Sequence, residues 1–199
     1  MENKLKPITT SIIETLQGSD VRTVMATGDN ILTAIAVGKE CAIIDKEATV
    51  FLGDVKSQDG VERVVWKCTS KSETRLNEET LEPEFLDDRR GGRKSEHQRK
   101  KDTLRKSMTD NEDVIYEKDL PWQHMEANYT LALTGKAFNL LASDPRQKGT
   151  LQRVLLNGQI YARMSPEDKA ILVEQLQGFC KTEVGMCGDG ANDCGALKQ

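Results

Sequence analysis

The stretch that decides the fold is Val184–Lys198, which reads VGMCGDGANDCGALK. Its first four residues, Val184–Cys187, are apolar or small and predict a buried strand. The glycine-rich turn that follows carries Asp189, Asn192 and Asp193 at the carboxyl end of that strand. Small residues let a ligand approach the backbone closely, and carboxylate and amide oxygens suit Mg²⁺. The stretch therefore predicts a magnesium site, with an ordinary polar turn as the alternative.

Composition narrows the class of protein. The chain has 199 residues, a formal net charge of -4 and a mean hydropathy of -0.55. The length allows one domain or two small ones, and the acidic balance argues against a nucleic-acid-binding protein. No apolar run reaches the roughly 20 residues that cross a bilayer, so we expect a soluble chain. Its five cysteines have no metal-ligand spacing, which predicts reduced, buried thiols.

A second polar turn follows the strand candidate Val21–Ala26. Thr27, Gly28 and Asp29 lead directly into a helix for which Asn30 or Asp29 is a suitable N-cap. The predicted apolar side of that helix consists of Ile31, Ala34, Ile35 and Gly38. Free N–H groups and the helix dipole point at such a turn, which makes it a candidate anion site. A capped turn that binds no ligand is the alternative.

A third polar segment follows the predicted strand Gln159–Arg163. Ser165 is a suitable N-cap, and Pro166 occupies the first position of a helix predicted to run to Gln177. Lys169 lies in the first turns of this helix, where its ammonium could reach a phosphate as a point charge. The alternative is an ordinary exposed lysine on the surface of a helix.

Alternation of strands and helices predicts an α/β fold with a parallel sheet and right-handed crossovers. A further strand is predicted over Tyr129–Leu133, followed by a helix that carries Phe138. Ligands of such sheets bind at the carboxyl ends of the strands, and all three polar segments come directly after a predicted strand. We therefore expect them to form one site. A metal, a cation and hydrogen-bond donors are what phosphoryl transfer requires of a protein.

Residues 45–128 differ in character from the rest. Val50–Leu52 and Val61–Trp66 predict short strands, but residues 70–113 show little periodicity. Within them, Asp87–Lys106 contains nine Arg and Lys residues against four Asp and Glu residues. This composition predicts a long, largely disordered charged insertion. A basic surface that meets anionic lipid or is phosphorylated is the functional alternative.

The motifs TGDN, YARMSPEDK and VGMCGDGANDCGALK resemble those of P-type ATPases. The residues around them resemble the P5B group of cation-transporting ATPases most closely. The resemblance implies that residues 1–44 and 129–199 are parts of a phosphorylation domain with a haloacid-dehalogenase-like Rossmannoid sheet, separated by the insertion 45–128. It also implies that ATP, with Mg²⁺, phosphorylates an aspartate in a DKTGT motif. Hydrolysis would then drive transport of a cation or polyamine through membrane helices.

The same resemblance implies roles for eight residues. The residues that would contact the transferring phosphate or the phosphorylated aspartate are Thr27, Gly28, Asp29 and Lys169. The residues that would meet the nucleotide and its phosphates are Arg163 and Asn192. The residues that would hold Mg²⁺ are Asp189 and Asp193.

The chain departs from the complete pattern because it has no DKTGT motif. We therefore expect a fragment, inactive alone, of a multi-pass protein of late endosomal or lysosomal membranes, with this part on the cytosolic side. One alternative is a truncated, non-catalytic regulatory or interaction protein that binds partners through its basic segment. Another is a soluble phosphatase of the same superfamily, although the Asp-x-Asp motif that such an enzyme needs is absent.

Overall fold

A computed structural model describes residues 5–58, 60–70, 74–85, 129–180 and 183–199. The strands are β1 (Met25–Ala26), β2 (Thr49–Gln58), β3 (Val61–Cys68), β4 (Thr74–Leu76), β5 (Pro83–Phe85), β6 (Tyr129–Thr134) and β7 (Gly158–Ala162). The α-helices are α1 (Thr9–Gly18), α2 (Ile31–Glu40), α3 (Gly135–Ser143), α4 (Lys148–Asn157) and α5 (Pro166–Cys180). Short 3-10 helices are formed by Pro145–Gln147, Ala191–Asp193 and Ala196–Lys198. None of the helices in these ranges has the length and apolar character needed to cross a membrane.

The main sheet has five strands in the order β1-β7-β6-β2-β3. Strands β1, β7, β6 and β2 are parallel, and β3 runs antiparallel beside β2. The predicted α/β class is confirmed, with a mixed and mostly parallel sheet. Because four strands point the same way, their carboxyl ends lie along one edge of the sheet.

Apolar side chains cover both faces of this sheet, as expected for parallel strands flanked by helices. One face packs against α2, whose predicted apolar side is buried at all four positions. The Asn30 side chain accepts a hydrogen bond from the Leu32 N–H at 2.9 Å, so Asn30 is the N-cap and the alternative, Asp29, is not. The other face packs against α3, α4 and α5, where Phe138 and Tyr161 make an edge-to-face ring contact. Both aromatic side chains are fully buried.

The strand predicted over Val184–Cys187 is wrong. Residues 183–189 have no regular secondary structure, and Cys187 is exposed. A strand forms only where a neighbour satisfies its backbone hydrogen bonds, and none of the described strands pairs with this segment. The prediction of buried thiols is accordingly wrong for Cys187 and Cys194, although Cys41 is buried. The strand predicted over Val21–Ala26 is shorter than expected, because only the two residues of β1 join the sheet.

The strands predicted near residues 50 and 61 are confirmed and are longer than expected. They form the β2–β3 hairpin, and β2 pairs in parallel with β6 inside the main sheet. Strands β4 and β5 form a second, smaller sheet next to it, with Leu76 and Leu81 buried against the main core. The prediction of disorder is therefore wrong for residues 74–85. Residues 86–128, including the basic segment Asp87–Lys106, lie outside the described residues.

Candidate functional site

The turn that begins at Thr27 is bonded through its backbone to the chain that leaves β7. The Thr27 N–H donates to the Tyr161 carbonyl at 2.8 Å, and the Met164 N–H donates to the Thr27 carbonyl at 2.9 Å. The Arg163 N–H donates to the Asp29 carbonyl at 3.0 Å. Within the turn, the Asp29 N–H donates to the Thr27 hydroxyl at 3.1 Å. Two of the three predicted segments are therefore neighbours at the carboxyl edge of the sheet.

The start of α5 is fixed by a reciprocal pair of hydrogen bonds. The Asp168 N–H donates to the Ser165 hydroxyl at 3.1 Å, and the Ser165 N–H donates to the Asp168 carboxylate at 2.8 Å. This arrangement is a capping box and confirms the cap predicted at Ser165. It fixes the first turn of the helix, and Lys169 is the residue directly after Asp168.

Lys169 forms a buried ion pair with Asp193. Its ammonium donates to one carboxylate oxygen at 2.7 Å, and the two side chains are only 5% and 10% exposed. The alternative of an ordinary surface lysine is therefore wrong. The hydrogen bond from Lys169 lowers the pKa of Asp193 below its usual value, and the Gly190 N–H adds to this while burial opposes it. The carboxylate is thus held in its charged form.

The loop around Asp193 packs tightly on itself. The Gly190 N–H donates to the second carboxylate oxygen of Asp193 at 3.3 Å. Gly188 has no room for a side chain, because a Cβ there would lie 2.6 Å from the Asp193 Cβ. Asp189 and Asn192, in contrast, are exposed. The loop thus turns one acidic residue inward to Lys169 and leaves the other acidic residue at the surface.

The structure joins the predicted site residues in two groups. Thr27, Gly28 and Asp29 form a turn against Arg163, and Lys169 pairs with Asp193. In the ranges that the structure describes, no hydrogen bond joins the Thr27 turn directly to the loop 188–193, and none involves the Asp189 carboxylate. The same ranges contain no group of three His, Cys, Asp or Glu side chains arranged to hold a metal.

Sequence reasoning missed two residues beside the site. The Asn139 side chain donates to the Asp168 carboxylate at 2.6 Å across the α3–α5 contact. Gly135, at the start of α3, is so close to the segment after β7 that a Cβ would lie 2.6 Å from the Arg163 carbonyl oxygen. A signal existed in the sequence, because Asn139 is a single polar residue between the apolar residues Phe138 and Leu140 and a glycine opens the helix.

The chain matches known proteins along its whole length, although no protein-family model matches it. It is 38% identical over 201 residues to the vacuolar cation-transporting ATPase YPK9 of Saccharomyces cerevisiae, covering 99% of this chain and 12% of that protein. It is 33% identical over 201 residues to the polyamine-transporting ATPase 13A3 of Mus musculus. It is 34% identical over 198 residues to the probable cation-transporting ATPase 13A4 of Homo sapiens. These last two alignments cover 100% of this chain and 14% of each relative.

The chain thus spans no more than 14% of the length of these relatives. The relatives are all named as ATPases of the cation- or polyamine-transporting kind, and the alignments, at 33–38% identity overall, cover 99–100% of this chain. This confirms the resemblance: along its whole length, the chain is homologous to one segment of the P5-type (P5B) cation- and polyamine-transporting ATPases.

Proposed function

We propose that this chain supplies the phosphate- and Mg²⁺-binding edge of the phosphorylation domain in an ATP-driven P5B cation or polyamine transporter. One observation carries the proposal. The segment that follows β7 is bonded to the Thr27 turn on one side, and within a few residues it continues into the helix whose Lys169 binds Asp193. These contacts support a common site for the three motifs beside one edge of the α/β sheet, which would be part of a haloacid-dehalogenase-like domain.

Phosphate binding is assigned to the Thr27 turn and Lys169. Gly28 and Asp29 are exposed, so a phosphate can approach the backbone of the turn. An ammonium has three N–H donors, and only one of those of Lys169 is used by Asp193. The other two N–H groups remain to bind an oxygen of the transferring phosphoryl group. Asp193 would then hold Lys169 in place.

Magnesium binding is assigned first to Asp189. Its carboxylate is exposed and makes no hydrogen bond among the described residues, whereas both oxygens of Asp193 already accept one. Mg²⁺ is usually held by one or two carboxylates together with phosphate oxygens and water, so this donor set fits the ion. When bound, Mg²⁺ would neutralise charge on the phosphoryl group. Asn192, exposed on the same loop, would complete the polar surroundings.

The remaining assignments follow from the motif resemblance to P5B ATPases. Arg163 is exposed beside the Thr27 turn and would contact ATP. The chain contains no DKTGT motif, so we expect no ATP turnover from it alone. The phosphorylated aspartate and the membrane helices that carry a cation or polyamine would belong to other segments. By analogy with the yeast relative, the transporter would act in an internal membrane of the late endosomal or lysosomal kind, with this segment on the cytosolic side.

The test is to place this chain in the yeast relative instead of the matching segment and to measure the phosphoenzyme formed from labelled ATP. We expect a hydroxylamine-sensitive phosphoenzyme that depends on Mg²⁺. Asp189→Asn should remove most of it, because the metal ligand loses its charge. Asp20→Asn is the matched control, since Asp20 is an exposed aspartate that makes no side-chain hydrogen bond among the described residues. Unchanged phosphoenzyme in Asp189→Asn, at equal expression, would contradict the metal assignment.

A further inference from the structure

Asp168 is a buried acid that has no cationic partner among the described residues. Its exposed fraction is 7%, and no Arg, Lys or His of the described ranges forms an ion pair with it. Its two carboxylate oxygens accept hydrogen bonds from different elements, one from the Asn139 side chain at 2.6 Å and one from the Ser165 N–H at 2.8 Å. Burying a carboxylate is costly unless its hydrogen bonds are made, so these two contacts are what retains it there.

The contact with Asn139 ties the start of α5 to the sheet through α3. Asn139 lies on α3, which begins directly after β6, and the Thr134 hydroxyl at that junction donates to Asp54 of β2 at 2.9 Å. This junction is tightly packed, because a Cβ on Gly135 would lie 2.8 Å from the Asp168 carboxylate. The first turn of α5 is therefore held against an element that the sheet itself fixes.

We propose that Asp168 is a positioning residue for Lys169. The two residues are adjacent on α5, where each step along the helix turns the side chain by about 100°. A rotation of this first turn would move the base of the Lys169 side chain away from the loop that carries Asp193. The Asn139–Asp168 hydrogen bond prevents that rotation, and Asp168 itself touches neither phosphate nor metal. That the position of Lys169 matters for function rests on its proposed phosphate-binding role. That Asp168 fixes this position does not depend on that role.

Helix capping alone is a different role and can be separated from positioning. Ser165→Ala removes the hydroxyl half of the capping box and leaves the Asn139–Asp168 contact in place. Asn139→Asp does the reverse, because it opposes two carboxylates across the α3–α5 contact and leaves the cap intact. In the exchanged pair, Asn139→Asp with Asp168→Asn, the new amide on α5 can donate to the new carboxylate on α3, while its carbonyl oxygen accepts from the Ser165 N–H. The exchange therefore restores every hydrogen bond.

The experiment uses the full 199-residue chain and measures how fast each lysine is methylated by formaldehyde and a borohydride, residue by residue, by mass spectrometry. Lys169 should react slowly because its amine is buried and ion-paired. In Asn139→Asp its rate should rise about tenfold, the size expected when a hydrogen bond to a charged group is lost. The exchanged pair should return it to about the starting rate. Lys148, an exposed lysine on α4, should react equally in every variant.

Three results would overturn the proposal. They are an unchanged Lys169 rate in Asn139→Asp, a failure of the exchanged pair to restore it, and an equal rise in Ser165→Ala. Should Asn139→Asp not fold, Asn139→Ala removes the hydrogen bond without adding a charge, and the same rise is required of it. Labelling needs neither nucleotide nor Mg²⁺, so a failure here is distinct from a loss of phosphoenzyme in the transporter.

Discussion

The Thr27 turn and the loop Gly188–Asp193 are both fixed to the part of the chain that runs from β7 into α5, yet they are held there in different ways. The turn is fixed by three backbone hydrogen bonds of 2.8–3.0 Å, one to Tyr161 of β7 and two to the residues that follow this strand. The loop is bound to α5 through one side-chain ion pair, between Lys169 and Asp193. Backbone bonds survive most substitutions of the residues that make them, whereas the ion pair depends on two particular side chains.

This difference has a functional consequence. A site that handles a phosphoryl group needs a rigid part that positions the group and charged groups that stabilise it. On our assignment, the Thr27 turn is the rigid part. The loop carries the Asp189 carboxylate, and its anchor consists of a cation and an anion that a phosphate or Mg²⁺ would perturb directly.

Lys169→Met should have the largest effect, and the effect should be confined to the loop. Without its cation the Asp193 carboxylate is buried and unpaired, so the loop should open. We expect the Gly190 and Asp193 amides to exchange with deuterium on the order of 100-fold faster, while the Met164 amide, bonded to the Thr27 turn, keeps its rate. Lys148→Met on the exposed side of α4 is the control. Unchanged exchange in the loop would show that other contacts hold it.

Gly135→Ala should damage the rigid side instead. The new methyl group would lie 2.6 Å from the Arg163 carbonyl oxygen, which belongs to the segment that binds the Thr27 turn. We expect urea denaturation to show a loss of about 1–3 kcal/mol in the free energy of unfolding, as for other overpacked sites. Gly178→Ala is the control, because this residue is helical and no described atom lies within 4 Å of a Cβ there. The free energy of unfolding of this variant should rise by about 0.5–1 kcal/mol. A loss of stability in both variants would contradict the steric argument.

Local patterns in the sequence were sufficient for much of this edge. The apolar side of α2 and the cap at Ser165 each depend on residues within a few positions of one another, and both predictions are correct. The sequence narrows the cap of α2 to Asn30 or Asp29, and the structure has Asn30. The strand at Val184–Cys187 was not, because an apolar run indicates that a strand can form but does not supply a neighbour for it.

The candidate site, too, could be predicted from the sequence only in part. The three motifs could be located from the sequence alone. The parallel sheet accounts for the position of two of them, the Thr27 turn and the segment after β7, whereas the third follows none of the described strands. The contacts within the site join residues far apart in the chain: Lys169 and Asp193 are 24 positions apart, and Asn139 and Asp168 are 29 apart. No spacing rule predicts such pairs, because they depend on how α3, α5 and the loop pack in three dimensions.

Thr27→Val tests the turn without crowding it. It removes the hydroxyl that accepts the Asp29 N–H but keeps the shape of the side chain and the backbone bonds to Tyr161 and Met164. We expect a decrease of about 0.5–1.5 kcal/mol in the free energy of unfolding, typical of one hydrogen bond. Thr27→Ser keeps the hydroxyl and should lose less. A larger loss in the serine variant would show that the methyl group, not the hydrogen bond, stabilises the turn.

Lowering the pH should weaken the attachment of the loop Gly188–Asp193 and leave the Thr27 turn unchanged. We expect this effect to be smaller than those of the three substitutions above. The Lys169 hydrogen bond lowers the pKa of Asp193 below its ordinary value of 3.8, so the folded loop binds that proton less readily than the unfolded chain. The ion pair therefore contributes its full stability above pH of about 4 and loses it as the pH falls through the lowered pKa.

The amide shifts of Gly190 and Asp193, followed by NMR, should change only below that pH, and Asp193→Asn should abolish the change. Asp144 is a useful comparison, because the exposed Arg146 lowers the pKa of this half-buried carboxyl through a side-chain hydrogen bond, and Asp144→Asn should leave the loop titration intact. A loop transition centred above pH of about 4 would mean that Lys169 does not hold this carboxylate in its charged form.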